Sequence, residues 1–315
     1  MSGATPGPVV ARLARPTAEH TRLAVVADPH VAVRAEGTSK LFERTQAHFA
    51  AALDDIADRG VDAVLSPGDL TKDGEPWNYE AVDDALATLD APFYAVPGNH
   101  DVHKNGDGHD APPLARFADE YGPGELPYRV EVGGVDVIGL NSAGAVDRLT
   151  DTHDGRVDEA QREWLAAELD AAETPIALVH HNFPPVTGQL SAHREAVEPE
   201  MAEIPGLRDA DPLAATLADG GASLALTGHY HLPTTGVHRG VREVATPTTC
   251  SFPQSYLLAD VTPEGTTIRL VPVADETGLE TAHARRVGDS TTARALTSIA
   301  AARVASFPLV EEWSP

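Results

Sequence analysis

The sequence predicts an α/β protein with parallel strand pairing and helices packed outside. Three observations carry this. Apolar runs at Leu23 to Ala27, Val61 to Leu65, Pro175 to Val179 and Ala222 to Leu226, with a further one from Phe93, read as short buried strands. Segments of helical period separate the first three, giving a strand–helix–strand–helix–strand alternation. Each run also stops at a polar group of the same chemical kind, at the strand end where open α/β sheets gather ligands.

In order, the run from Leu23 ends in Asp28-Pro29-His30. Thr38 or Ser39 is placed to cap a helix whose Phe42, Phe49, Leu53 and Ile56 recur at helical spacing, with Gly60 as its stop. The run from Val61 ends in Gly68-Asp69, and Pro76 to Leu89 reads as a second helix. The strand from Phe93 ends in Gly98-Asn99-His100-Asp101, three polar side chains that are costly to bury without partners. Asp101 to Pro113 is a polar loop, and Leu114 to Tyr121 a short helix. Gly133-Gly134 between two apolar runs signals a hairpin. Asp158 caps a helix bearing Trp164, Leu165 and Leu169. The run from Pro175 ends in His180-His181, and a long polar segment, Asn182 to Arg208, follows. Asp211-Pro212 opens a helix. The run from Ala222 ends in Gly228-His229-Tyr230-His231, and short β segments continue to Val273. Ser290 or Thr291 caps a final helix with Leu296, Ile299 and Val304 on one stripe, read as a covering helix, with a dimer contact or a partner site as the alternatives. The expected organisation is a lead-in over 1–21, one domain over 22–273 and an extension over 274–315.

At 315 residues and 42% hydrophobic, the chain can bury a sizeable core. Its one cysteine, Cys250, excludes a disulfide framework and a Cys-rich zinc site, and reads as a small buried hydrophobe. No stretch approaches the roughly 20 apolar residues of a membrane span. Met1 to His20 lacks the basic-then-apolar order of a signal peptide, so the expectation is a cytoplasmic protein with no membrane partner. The formal net charge is -25, and only Lys40, Lys72 and Lys104 are lysine. Such a surface suits a halophilic, salt-loaded cytoplasm that screens the field. In dilute solution it repels nucleic acid, which is disfavoured as a partner without being excluded. A homo-oligomer is left open.

The strand ends supply Asp28, His30, Asp69, Asn99, His180, His229 and His231. One buried histidine is usually just a hydrogen-bonded core residue; five successive strands ending this way is a different matter. A tetrahedral zinc takes about four ligands, so this set exceeds one ion. Two ions ~3.5–4 Å apart need a bridging ligand, which a carboxylate provides. Imidazole, carboxylate and amide donors without sulfur suit Mn, Fe or Zn.

Asp28-x-His30, Gly68-Asp69, Gly98-Asn99-His100-Asp101, His180 and Gly228-His229-x-His231, in that order, resemble the calcineurin-like metallophosphoesterase superfamily. The resemblance runs from Leu23 to about Val273. Gly68-Asp69-Leu70-Thr71 and His180-His181 look most like its cyclic-nucleotide and glycerophosphodiester phosphodiesterase branch. It implies two mixed β-sheets packed face to face between helices, a four-layer αββα fold. It also implies two divalent cations (Mn, Fe or Zn), one held by Asp28, His30, Asp69 and His231, the other by Asp69, Asn99, His180 and His229, with Asp69 bridging. His181 is the alternative to His180. His100 would face the phosphate of a small-molecule phosphoester and either steady its charge or protonate the leaving oxygen while a metal-activated hydroxide attacks phosphorus. His100 and Asp69 are thus the catalytic candidates, and Asn99, His100 and His181 the substrate-binding ones.

Two departures stand out. Lys72 occupies a position that is often acidic in relatives, leaving Asp73 or Asp101 to orient His100. Asn182-Phe183 precede Pro184-Pro185 where relatives often have Pro sooner. His103, His109, Asn182, His193 and Arg34 are further candidates for substrate contact. The competing readings are a nuclease in the same fold, which the missing basic stripe disfavours, and a catalytically silent metal-binding scaffold, which should lack a ligand or His100.

Overall fold

Residues 7–104, 107–144, 148–149, 153–288 and 290–314 are described by the computed structural model of this chain. Its strands and helices follow from the apolar periodicity. β1 (Val9–Leu13) and β2 (Thr21–Val25) precede a 3-10 turn at Phe42–Arg44 and α1 (Thr45–Ala57). Next come β3 (Ala63–Ser66), α2 (Pro76–Leu86) with Pro at its first position, β4 (Phe93–Ala95), β5 (His103–Lys104) and α3 (Leu114–Tyr121). The hairpin pairs β6 (Tyr128–Val132) with β7 (Val135–Leu140) around the left-handed Gly133 and Gly134. β8 (Arg148–Leu149) leads to α4 (Glu159–Leu169), whose N-cap Asp158 accepts from the Gln161 amide. Then follow β9 (Pro175–Val179), α5 (Pro184–Val197), α6 (Ala210–Asp219), β10 (Leu224–Thr227), β11 (Thr234–His238), β12 (Val241–Ala245), β13 (Ser255–Thr262) and β14 (Gly265–Pro272). α7 (Glu276–Arg286), α8 (Thr291–Ala305) and β15 (Val310–Glu311) close the chain.

The strands form two mixed sheets. One has the order β15-β1-β14-β13-β2-β3-β4, the other β11-β12-β10-β9-β7-β6. β2, β3 and β4 run parallel, as do β7, β9, β10 and β12. Alternation along each strand sorts side chains between two faces. Leu23 and Val25 of β2 and Leu65 of β3 face Val137, Ile176, Leu178 and Leu226 of the other sheet, making the inter-sheet core. Ala24 and Val64, one residue out of phase, pack on Phe49, Leu53 and Ile56 of α1 and Tyr79 and Val82 of α2. On the far side, Ala177, Val179 and Ala225 pack on Leu165 of α4 and Leu213 and Leu217 of α6. The architecture is the expected four layers, helix–sheet–sheet–helix.

Among the elements that differ from expectation, three are long. Val9–Leu13, read as lead-in, is a strand between β14 and β15. Both partners lie at the far end of the chain, so local sequence carries no sign of the pairing. Residues 1–6 of the lead-in lie outside those described. The polar segment after His181 contains α5, which Pro184 and Pro185 initiate at its first turn. It is only thinly apolar, with Val186 and Leu190 buried, so its helical period is faint. α7 was likewise hidden by a strongly polar composition.

Candidate metal centre

The carboxyl ends of β2, β3 and β4 in one sheet and of β9 and β10 in the other meet at one edge of the sandwich. Asp28, His30, Asp69, Asn99, His180 and His231 are buried there. The ligand-type atoms of Asp28, His30 and His231 lie within 4.8 Å of one another, and the same holds for Asp28, Asp69 and His180, for His30, Asp69 and His100, and for His180, His181 and His229. Shared members join these groups into one cluster. The seven positions singled out from strand ends are therefore neighbours in space, with Asp69 at the middle: its Oδ2 is 3.5 Å from both His30 Nε2 and His180 Nε2.

The backbone is bent to achieve this. Asp28, His30, Asp69, His229 and His231 all have left-handed φ, between 44 and 68°. Such conformations cost on the order of 1–3 kcal/mol each and persist only where the surroundings impose them. Two glycines allow the loops to touch. A Cβ on Gly98 would overlap the amide and carboxylate of Asp69, and one on Gly68 would lie 2.5 Å from the Gly98 nitrogen. Asp101 pins the turn: its carboxylate accepts from the amides of Gly98 (2.9 Å), Leu70 (3.1 Å) and Thr71 (3.0 Å).

Hydrogen bonds to carbonyls identify which ring nitrogens carry protons, because a carbonyl only accepts. His180 Nδ1 donates to the Pro67 carbonyl at 2.7 Å, leaving Nε2 with a lone pair. His229 Nε2 donates to the Pro205 carbonyl at 2.8 Å, leaving Nδ1 as its lone-pair atom. Asn99 Nδ2 donates to His153 Nδ1 at 2.8 Å, which turns Asn99 Oδ1 toward His180 Nε2 at 3.1 Å. Two acceptors thus face each other with no proton between them. His30 Nε2 and His231 Nε2 are also only 3.0 Å apart, and His231 Nε2 is 3.5 Å from Asp28 Oδ1. Converging lone pairs and carboxylates repel unless a cation sits among them, so these residues fit divalent metal ions.

Burial is the largest influence on Asp28, His30, Asp69, His229 and His231. It drives His30, His229 and His231 well below the usual histidine range, keeping them neutral as metal ligation requires. It lifts Asp28 to about 8. Burial also pushes Asp69 upward, but His180, His100 and Lys40 outweigh it and hold the carboxyl below its usual range.

His100 lies at the mouth. Its Nδ1 donates to the Lys72 carbonyl at 2.7 Å and lies 2.8 Å from Asp73 Oδ1, so Nε2 is the atom left for a ligand. Asp73, not Asp101, is thus the carboxylate beside His100. His181 is fully buried, with Nε2 donating to the His153 carbonyl (2.9 Å) and Nδ1 accepting from Ser142 Oγ (2.8 Å). Both of its nitrogens have partners, and it does not line the cleft over the cluster. That cleft, about 240 Å³, is lined by His30, Asp69, Asn99, His100, His229 and His231.

The further candidates scatter. Asn182 is buried against Thr227 and Glu243. Arg34 stacks over the Trp77 ring, and His109 Nε2 donates to the Asp73 carbonyl. His193 lies along α5, and His103 in the two-stranded β5–β8 pair. None of them lines the cleft, whereas Lys40, His153 and Arg286 do, and strand-end reasoning missed them. Lys40 Nζ is 3.0 Å from His30 Nε2. The scarcity of lysine was the one available signal for Lys40.

A family model described as calcineurin-like phosphoesterase matches residues 21–233. A 3',5'-cyclic adenosine monophosphate phosphodiesterase, CpdA, of Haemophilus influenzae is 25% identical over 235 residues, 73% of this chain and 76% of that protein. A Synechococcus protein named "Probable cyclic nucleotide phosphodiesterase" is 28% identical over 219 residues, 68% of this chain and 72% of that protein. In fold, the chain resembles a dimetal phosphatase from Danio rerio, with a TM-score of 0.56 at 13% identity over 81% of this chain and 97% of that one.

Proposed function

Because the chain belongs to the calcineurin-like phosphoesterase family, we propose that it hydrolyses phosphodiester or phosphomonoester bonds of small molecules with two divalent metal ions. The observation that carries the dinuclear reading is the convergence of ligand atoms on Asp69: His180 Nε2 and Asn99 Oδ1, two acceptors, face each other on one side, His30 Nε2 and His231 Nε2 come within 3.0 Å on the other, and Asp69 Oδ2 is equidistant from His30 and His180. Asp28, His30 and His231 would hold one ion, Asn99, His180 and His229 the other, with Asp69 shared. His180 is preferred to His181 because only His180 keeps a lone pair free. Nitrogen and oxygen donors without sulfur suit Mn, Fe or Zn. Bound there, two such ions supply positive charge for phosphoryl oxygens and water acidified to near neutral pH.

The chain's own residues do the rest. Burial keeps bulk water and competing ions from the ligands. Asp69 Oδ1 accepts from the His100 amide at 2.8 Å, tying the position of His100 to the bridging carboxylate. His100 keeps a proton on Nδ1 toward Lys72 and Asp73 and would donate from Nε2 to the leaving oxygen as imidazolium, a charge that burial and Lys40 oppose and that Asp69 and Asp73 favour. Asp73 steadies that cation.

The test is a turnover panel on protein reloaded with Mn, Fe or Zn. It pairs bis-aryl and mono-aryl phosphates with cyclic nucleotides and glycerophosphodiesters. Metal-dependent release of phosphate or monoester from at least one of them is expected. No hydrolysis of any, with any metal, would favour a catalytically silent scaffold.

A further inference from the structure

The family match ends at residue 233, yet the cleft does not. Its far wall comes from α7 and α8: Arg286, Ser290, Thr292, Ala293 and Leu296 line it together with the cluster. Arg286, the last residue of α7, is 1% exposed. Its Nη1 donates to the Phe252 carbonyl, and among the described residues no carboxylate lies within ion-pair distance of it. A guanidinium has five N–H donors, so one carbonyl leaves most of its capacity unused. Burying a cation without a counter-charge costs several kcal/mol. Neighbouring Cys250 does not provide that charge, because burial raises its thiol pKa and keeps it neutral. Burial lowers Arg286 only to about 10, so it remains charged at neutral pH.

The surroundings sharpen the point. Lys40 lines the same cleft. The charge of Arg286 reaches the cluster, where it helps depress His231 after burial and Lys40. Two basic side chains therefore share one small cleft. Asp69 lines it too and bears on Lys40, whereas the spare donors of Arg286 meet no carboxylate among the described residues. An anion entering the cleft would take those donors, and Ser39, Ser251, Ser290 and Thr292 line the same space.

We propose that Arg286, carried in by the C-terminal extension, is a substrate-binding residue that takes an anionic oxygen of the phosphoester. The oxygen belongs either to the phosphoryl group being cleaved or to a second anionic group on the same small molecule. This rests on the phosphoesterase reading above and makes 274–315 a working part of the site.

The test compares holoenzyme with Arg286→Gln and Arg286→Lys, each checked for full metal content and thermal stability. Inorganic phosphate is titrated by calorimetry and as a competitive inhibitor. KM is measured for a bis-aryl phosphate, with one anionic group, and for an aryl diester bearing an additional phosphate. Arg286→Gln should weaken phosphate binding or raise KM about tenfold or more at unchanged metal content, since hydrogen bonds between charged groups are stronger than neutral ones. Arg286→Lys should recover part of it. Loss on both substrates assigns Arg286 to the cleaved phosphoryl group, and loss on the second alone assigns it to the additional anion. Phosphate affinity and both KM values within about twofold of wild type would overturn the proposal, even if stability fell. Should the variants not fold, phosphate-soaked crystals of the wild-type holoenzyme decide: contact between phosphate and Arg286 supports it, and bound phosphate without that contact overturns it. If the wild-type enzyme hydrolyses nothing, phosphate binding still reports on Arg286. If hydrolysis is intact and Arg286 is silent, only this inference falls.

Discussion

Asp69 has its two oxygens committed differently. Oδ1 accepts from the His100 amide, while Oδ2 stands between His30 and His180. Asp69→Ala should therefore lose both metal ions together, read by elemental analysis; retention of two ions would end the bridging role. His100→Ala should keep the metals and lose about 10²–10⁴-fold in kcat, the usual share of general acid catalysis; parallel loss of metal would make His100 a ligand. Asp73→Asn weakens the group that steadies His100 and should lower kcat by roughly 10–100-fold at constant metal content, as for other supporting partners of a working histidine. The strand-end residues were legible because an apolar run stopping at Asp, His or Asn shows in a single line of sequence. Lys40 and Arg286 were not, since they reach the cleft from a loop and from a helix end, where a charged residue looks like any solvated one.

At the level of elements, the turns matter more than the strands. Gly98→Ala would push its methyl into Asp69, and the left-handed Asp69 has little freedom to yield. A loss of about 1–3 kcal/mol in stability together with reduced metal content is expected from thermal melts and elemental analysis; unaltered metal binding would show that the two loops need not touch. In β12, beside β10 in the same sheet, Glu243 is fully buried, its carboxyl accepting from Thr227 Oγ1 (2.7 Å), Asn182 Nδ2 (2.9 Å) and the Phe183 amide (3.1 Å). Burial raises it from 4.5 to about 7. An acid whose folded pKa is raised binds its proton more tightly in the native state. Its favourable contribution is complete below the unfolded value of 4.5 and is lost as pH rises to about 7. The loss amounts to at most about 3 kcal/mol. Denaturant melts of Glu243→Gln should show a flatter dependence on pH between these values than wild type; an identical dependence would place the titration elsewhere. Buried β2, β3, β9 and β10 were readable from their apolar runs. β1 was not, because its partners lie at the opposite end of the chain, and α5 and α7 were not, because polar residues mask their period.

For the whole molecule, the net charge of -25 sets a repulsive field against a core built from two small sheets. Salt shortens the Debye length to about 3 Å at 1 M and relieves that repulsion. Relief of about 2 kcal/mol raises Tm by roughly 3 °C in a chain of this size. Calorimetry as KCl is increased from about 0.1 to about 2 M should show such a rise; a flat or falling Tm would mean that the acidic surface is already neutralised by its own ion pairs. That expectation rests on charge composition alone, whereas closure of the cleft by the C-terminal extension depends on packing between distant segments and left no trace in the sequence. If the strand ends of both sheets converge to hold two cations, as proposed, anomalous diffraction from manganese-loaded crystals will reveal both. Two peaks ~3.5–4 Å apart, sharing Asp69 between them, are predicted; a single peak, or peaks away from Asp28, Asn99 and His231, would contradict the proposal.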